Sequence, residues 1–331
     1  MATSQPTATL APTSRARPSS IRELVARSPL VAYFALAFLG TWLIVVPMAL
    51  GRGEYGLGLL PFAVPSGADF LLVQLSAYTG PLLAAILVTA ATEGRDGLRQ
   101  LRRRIVRWRV GVQWYLVALL APLAIWLAAY SAVLEGTPLA ALARQPALLL
   151  TTFLPFVLMG LFLPSLGEEP GWRGFALPRL QERHGPLLGT AILGALHGLW
   201  HLPASFTAAI GPFTPTTFAT FVLTAVAATF LYTWVFNRTG GSVLLTMLLH
   251  GASNAASGLL NRLVPAELPL DGWLRALVNQ GWLNVIAFGL VALLLVVATR
   301  GRLGYRPDGA LPAGRATRPT DAALASDGGR A

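Results

Sequence analysis

Three short stretches of the chain carry residue types that can do chemistry together. The first is Glu168-Glu169-Pro170-Gly171-Trp172-Arg173, the second holds His197 and His201, and the third holds His250 and Asn254. Within each stretch two polar residues stand four apart, a spacing that puts them on one face of a helix. Glu169 can therefore pair with Arg173, while Glu168 lies about 100° around the helix and is free to work on a water or a substrate. Pro170 can sit in a helix only with a kink or a lost bond to Leu166. A carboxylate can take a proton from water and a histidine can share that task. An amide NH₂ with a second histidine can donate to an oxyanion, so the set is a workable hydrolytic one. The same residues offer ligand types that zinc accepts, with His201, His250 and Glu168 as the set and His197 on the same face as His201. The His-Glu-x-x-His zinc motif is absent, because residue 198 is Gly. A blander reading stands beside these: an interfacial charge cluster ending one span, and Asn254 among Gly251, Ala252, Ser253, Ala255 and Ala256 as the contact between close-packed helices. His184, the remaining histidine, falls in a polar loop.

The elements that must position these residues are membrane helices. Of 331 residues 54% are hydrophobic and 12% charged, where a soluble domain carries about a quarter charged, and mean hydropathy is +0.60. Eight runs free of Asp, Glu, Lys and Arg approach the roughly 20 residues needed to cross a bilayer: 30–50, 70–92, 112–134, 147–166, 187–210, 217–236, 243–260 and 282–299. The expected fold is all-α, a polytopic integral membrane protein of eight transmembrane helices over 29–300, with polar disordered tails at 1–28 and 301–331. All 25 basic residues are Arg. With eight crossings and a cytoplasmic N-terminus, the cytoplasmic segments hold four, seven, three, one and six arginines, 21 in all, against Arg52, Arg144, Arg262 and Arg275 outside. That asymmetry follows the positive-inside rule and puts both termini in the cytoplasm, with the cell membrane as the expected location. The absence of cysteine excludes disulfides, thiolate metal sites and cysteine catalysis. The seven arginines between 95 and 109 fit anionic lipid headgroups rather than nucleic acid.

In these motifs the chain resembles the CPBP family, the type II CAAX prenyl endopeptidases and their abortive-infection-like bacterial relatives. The family pattern EExxxR is complete at Glu168–Arg173, and HxxxN is complete at His250–Asn254. Between them the family has an aromatic residue four positions before a histidine, with three residues intervening. Taking His201 as that histidine puts His197 at the aromatic position, and taking His197 puts Leu193 there. His201 is favoured by the run Trp200-His201-Leu202-Pro203, with His197 and Trp172 as further site-lining residues. The resemblance covers about 147–260. It implies an eight-helix intramembrane endopeptidase in which Glu168 and His201 activate a water, His250 and Asn254 stabilise the oxyanion, and Glu169 and Arg173 hold the helix. Its substrates would be membrane-associated peptides or proteins, such as prenylated CAAX proteins or leader peptides. No cofactor is required by this mechanism, zinc being the alternative on the same scaffold. Other readings of the chain are a transporter with a Glu/His proton relay and a catalytically silent binding or immunity protein.

Overall fold

In lipid each backbone amide must find its partner inside its own segment, which leaves long apolar runs little choice but the helix. The computed structural model describes residues 20–264 and 270–307, and regular structure among them is helical throughout. In chain order the α-helices are α1 (Ile21–Arg27), α2 (Pro29–Leu50), α3 (Ser66–Ala77), α4 (Leu83–Ile105), α5 (Val112–Val133), α6 (Thr137–Arg144), α7 (Leu154–Gly160), α8 (Leu166–Glu169), α9 (Leu177–Trp200), α10 (Pro215–Arg238), α11 (Val243–Leu263), α12 (Gly272–Asn279) and α13 (Trp282–Ala298). Wider π-turns at Tyr78–Leu82, Leu149–Phe153, Leu161–Ser165 and Pro170–Ala176 join several of them without breaking the helical path. Three of these turns contain a proline, Pro81, Pro164 or Pro170, whose missing N–H leaves an upstream carbonyl unbonded and loosens the winding.

Six helical segments are long and apolar enough to cross a membrane: Pro29–Leu50, Gly67–Ile105, Val112–Val133, Leu149–Phe206, Pro215–Arg238 and Val243–Leu263. The bent pair α12 and α13, at 70° to one another, would make a seventh. Hydropathy leads to eight, and the difference lies in Leu149–Phe206, which holds both the fourth and the fifth expected runs in 58 helical residues. Drawn straight, that segment would be roughly 87 Å long. It folds back instead: Glu168 and His197, 29 positions apart, meet at 2.8 Å. The reversal is at Gly185, whose φ of 75° and ψ of 169° lie where L-residues are strained, followed by Pro186. A Cβ on Gly189 would stand 2.8 Å from the Leu180 carbonyl, so the two legs of the turn are in contact.

The fourth expected run stops at 166, before the acids, but the helix continues through α8 and its π-turn into α9. Glu168 lies 17 positions before Gly185 and His201 lies 16 after it, so the hairpin brings them to the same height. A similar break at Gly94 (φ 63°, ψ −147°) ends the apolar part of α4 and sets off its arginine-rich last turns.

The most enclosed of the membrane-length helices is α11, with Leu245, Leu249, Ala252, Ala255, Ala256 and Leu259 all buried. It packs on α5 and α7, while α9 packs on α10 and α10 on α13. Small residues set the closest approaches. A Cβ on Gly251 would fall 2.8 Å from the Val157 carbonyl, and one on Gly194 would fall 2.6 Å from the Val226 Cα. Leucines and valines of α2 and α13, including Leu39, Leu43, Leu290, Leu294 and Val297, point outward, as lipid-facing positions do.

Of the two expected tails, 1–19 and 308–331 lie outside the described residues. The parts that are described are ordered. Ser20 Oγ accepts from the Glu23 N–H at 3.3 Å to start α1, and Arg22 Nε donates to the Ala91 carbonyl at 3.0 Å. Ser20 and Glu23 stand at the capping-box spacing, a start signal that the low apolar content around it masks. At the other end Leu303 is fully buried and its carbonyl accepts from Asn237 Nδ2 at 3.0 Å.

Candidate active site

The site is built by the hairpin of α8–α9 facing α11. Glu168 and Glu169 end α8, and both are buried, Glu169 completely. Each has its own partners. Glu169 Oε1 accepts from Arg173 Nη1 at 2.9 Å and from His250 Nδ1 at 3.0 Å. Arg173 is 1% exposed. Its Nη2 donates to Thr229 Oγ1 at 3.4 Å, and its guanidinium carbon stands 4.4 Å from the centre of the Tyr232 ring. Tyr232 in turn donates to Ser253 Oγ at 3.2 Å. Three helices, α8, α10 and α11, and the π-turn after α8 thus converge on one buried ion pair, and the pair aims the His250 ring.

Glu168 points another way, as its place around the helix requires. Its Oε2 meets His197 Nε2 at 2.8 Å. One turn later His201 Nδ1 donates to the His197 carbonyl at 2.9 Å. A carbonyl can only accept, so Nδ1 carries the proton and Nε2 of a neutral His201 is the free lone pair. The Trp200 carbonyl accepts from Trp42 Nε1 at 2.9 Å, which ties this end of α9 to α2.

A cavity of about 460 Å³ opens in front of these groups, and Glu168, His201, His250 and Asn254 all line it. Its walls are otherwise mixed, with Phe70, Val45, Phe156 and Met159 beside Gln74, Ser257 and Asn261. The two remaining candidates, His197 and Trp172, do not line the cavity; they stand behind it. Trp172 is fully buried between Tyr33, Phe34, Trp200 and the His197 ring, 5.1 Å from the last by ring centres. Glu169 and Arg173 are likewise behind the wall.

For a metal, the donor atoms that come together are those of Glu168, His197 and His201, all within 4.8 Å of one another. The expected set names His250; among the described residues the cluster has His197 instead, and His250 Nδ1 bonds Glu169 Oε1. Two histidines and a carboxylate are a ligand set that a catalytic zinc accepts with one position left open.

Residues 149–256 match the family model described as type II CAAX prenyl endopeptidase Rce1-like. Over that third of the chain the sequence is similar to the type II CAAX prenyl endopeptidases. Among curated proteins it is similar to CAAX prenyl protease 2 of Methanococcus maripaludis, 24% identical over 173 residues. The match covers 52% of this chain and 62% of that relative's length. The family match spans α7 to most of α11, the part of the bundle that holds every candidate residue.

Two features of the site are not read from the motifs. Thr229 and Tyr232, on α10 between the second and third motifs, complete the surroundings of Arg173. Nothing in their spacing marks them, although a Thr and a Tyr three apart in an apolar span are polar groups in need of a partner.

Proposed function

We propose that this protein is an intramembrane endopeptidase that hydrolyses peptide bonds of membrane-associated substrates with a water activated by Glu168 and His201. The single observation that supports this most is the shared cavity of Glu168, His201, His250 and Asn254. A water placed between the Glu168 carboxylate and the His201 Nε2 lone pair has a proton acceptor on each side. As its oxygen bonds to the scissile carbonyl carbon, its proton passes to one of them, and the carbonyl oxygen takes the negative charge. Asn254 Nδ2–H is the standing donor for that oxyanion, and His250 adds an Nε2–H when its ring takes up a second proton. Collapse expels the amine, which receives the proton held by the acid–base pair. Glu169 and Arg173 act as positioning residues, through His250 and through the helix. His197, bonded to Glu168, fixes the direction of that carboxylate.

On this reading Leu149–Phe206 crosses the membrane twice, which restores eight crossings with both termini on the arginine-rich, cytoplasmic side. Substrates reach a cavity at membrane depth, as prenylated carboxy-terminal peptides or leader peptides would. The Methanococcus relative is named for CAAX prenyl proteolysis, and that substrate class is the first to test.

The test is purified protein in lipid nanodiscs with a prenylated CAAX peptide and a leader-type peptide, wild type against Glu168→Gln. Cleavage of either peptide that disappears in Glu168→Gln, with an unchanged melting temperature, is the expected result. Equal cleavage by the two proteins would end the reading. The donor cluster Glu168–His197–His201 also favours a second one, in which these three residues would hold a zinc ion that would supply Lewis acidity. Metal content after purification, and activity after chelation and readdition, separates the two.

A further inference from the structure

The arginine-rich end of the bundle holds a second cavity, of about 720 Å³, separate from the catalytic one. Arg103, Arg104, Arg107, Arg238 and Arg306 line it, with Glu182 the single acid. They come from three parts of the chain: the last turns of α4 and the residue pair beyond it, the end of α10, and the segment after α13. On α4 the lining residues Gln100, Arg103 and Arg104 share one helical face, at i, i+3 and i+4, and Arg107 follows two residues past the end of the helix. Arg95, Arg99 and Arg102 lie on other faces and do not line it. Evolving towards general surface basicity would not require this sorting.

Five guanidinium groups around one concavity repel one another, and one carboxylate neutralises only part of that charge. The side chains are also held. Arg104 Nη1 donates to the Gly174 carbonyl at 2.7 Å, and a Cβ on Gly304 would meet Arg238 Cδ at 2.7 Å. Arg107 Nε is buried with no partner among the described residues. Trp114 and Tyr305 complete the wall, rings of the kind that sit at the level of lipid headgroups. The geometry points to a binding site for a phosphate-bearing anion, with planar guanidinium forks converging on its oxygens. Two sources carry that chemistry, the headgroup of an anionic lipid and free phosphate in solution. The volume is larger than a bare phosphate fills and the rings adjoin the apolar belt, so the lipid headgroup is the favoured source.

The full chain is purified as wild type and as two triple variants with the same loss of charge. One is Arg103→Gln/Arg107→Gln/Arg238→Gln, which spares Arg104 and its bond to Gly174. The other is Arg95→Gln/Arg99→Gln/Arg102→Gln. Each is equilibrated in nanodiscs of phosphatidylcholine with phosphatidylglycerol as the minor component, and retained lipid is read by native mass spectrometry. Inorganic phosphate is titrated in detergent in a parallel arm. At about fivefold per arginine–headgroup contact, the cavity variant should bind phosphatidylglycerol about a hundredfold more weakly, and the control variant as wild type. Gln100→Glu, a substitution at an exposed position on the cavity wall, should also weaken binding and tests the site without risk to folding. Saturable phosphate binding in detergent, lost in the cavity variant, would identify free phosphate as the source. Equal losses in both triple variants, or no retained anion of either kind, would overturn the site.

Discussion

Arg173→Met removes one half of an ion pair that has no access to water. Glu169 is 0% exposed and would keep only the His250 ring against its charge. Breaking a buried pair from one side costs about 3–5 kcal/mol, because the remaining charge is uncompensated. The Thr229 hydrogen bond and the Tyr232 ring contact go with it, so the upper half of that range is expected. In Glu169→Gln/Arg173→Met both charges are gone and the carboxamide oxygen can still accept from His250 Nδ1. The double variant should therefore lose less than the single, about 2 kcal/mol or under, since neutral replacement of a buried pair is often close to neutral in stability. Nine tryptophans report unfolding by fluorescence during titration with sodium dodecyl sulfate in mixed micelles. The reasoning is refuted if Arg173→Met costs less than about 1 kcal/mol, the value typical of an exposed pair, or if the double variant is as unstable as the single. Activity supplies a second check: with the charge of Glu169 gone, the double variant should cleave poorly even though it is folded.

Gly251→Ala should lower stability by about 1–3 kcal/mol and activity by about a hundredfold, because its Cβ would press on the Val157 carbonyl at 2.8 Å and move His250 and Asn254 away from Glu168. Thermal unfolding and peptide cleavage measured on one preparation would show both losses, and a fully active variant would mean that α7 and α11 can separate without cost. His197→Gln should keep measurable activity, since a carboxamide N–H can replace Nε2–H as donor to Glu168 Oε2, whereas His201→Gln should be inactive for want of the Nε2 lone pair. The reverse order in kcat would exchange the roles given to the two histidines. If the Glu168–His197–His201 cluster holds no metal in the working enzyme, chelator leaves kcat/KM unchanged and elemental analysis finds less than about a tenth of an equivalent of zinc; restoration by zinc of activity lost to chelator would give those residues to the metal reading.

The chemistry of this chain was more legible than its geometry. Each motif is a pair of residues one helical turn apart, and spacing alone put Glu169 against Arg173, as the structure has it at 2.9 Å. Which group bonds Glu168 depends on how the chain folds back, which spacing within one motif does not give. A hydropathy window ends a span at the first acid, so the fourth run closed at 166 and left Glu168 at a membrane edge. The helix runs on because its charges are matched within the protein: Glu169 by Arg173 and Glu168 by the N–H of His197. Hydropathy prices each residue as though it faced lipid, which these do not. The short helices α1, α6 and α12 leave no hydropathy signal for a related reason, being too short and too polar for a span.

Internal matching also accounts for why proline and glycine crowd the site. Within α8 the 100° step between adjacent residues turns Glu168 and Glu169 toward different neighbours. The π-turns at Leu161–Ser165 and Pro170–Ala176 change that phase on either side of α8. Glu169 is left facing α10 and α11, where Arg173, Thr229 and His250 gather, and Glu168 faces α9 and the cavity. Glycines then let the partner helices close to the distance at which these bonds form, Gly251 against α7, Gly194 and Gly198 against α10, and Gly171 against the Pro81 carbonyl. The result is one carboxylate whose accepting atom is bonded on the protein side and one that looks into open space. On the proposed mechanism only the second would take a proton from water, and the two neighbouring glutamates would not exchange roles.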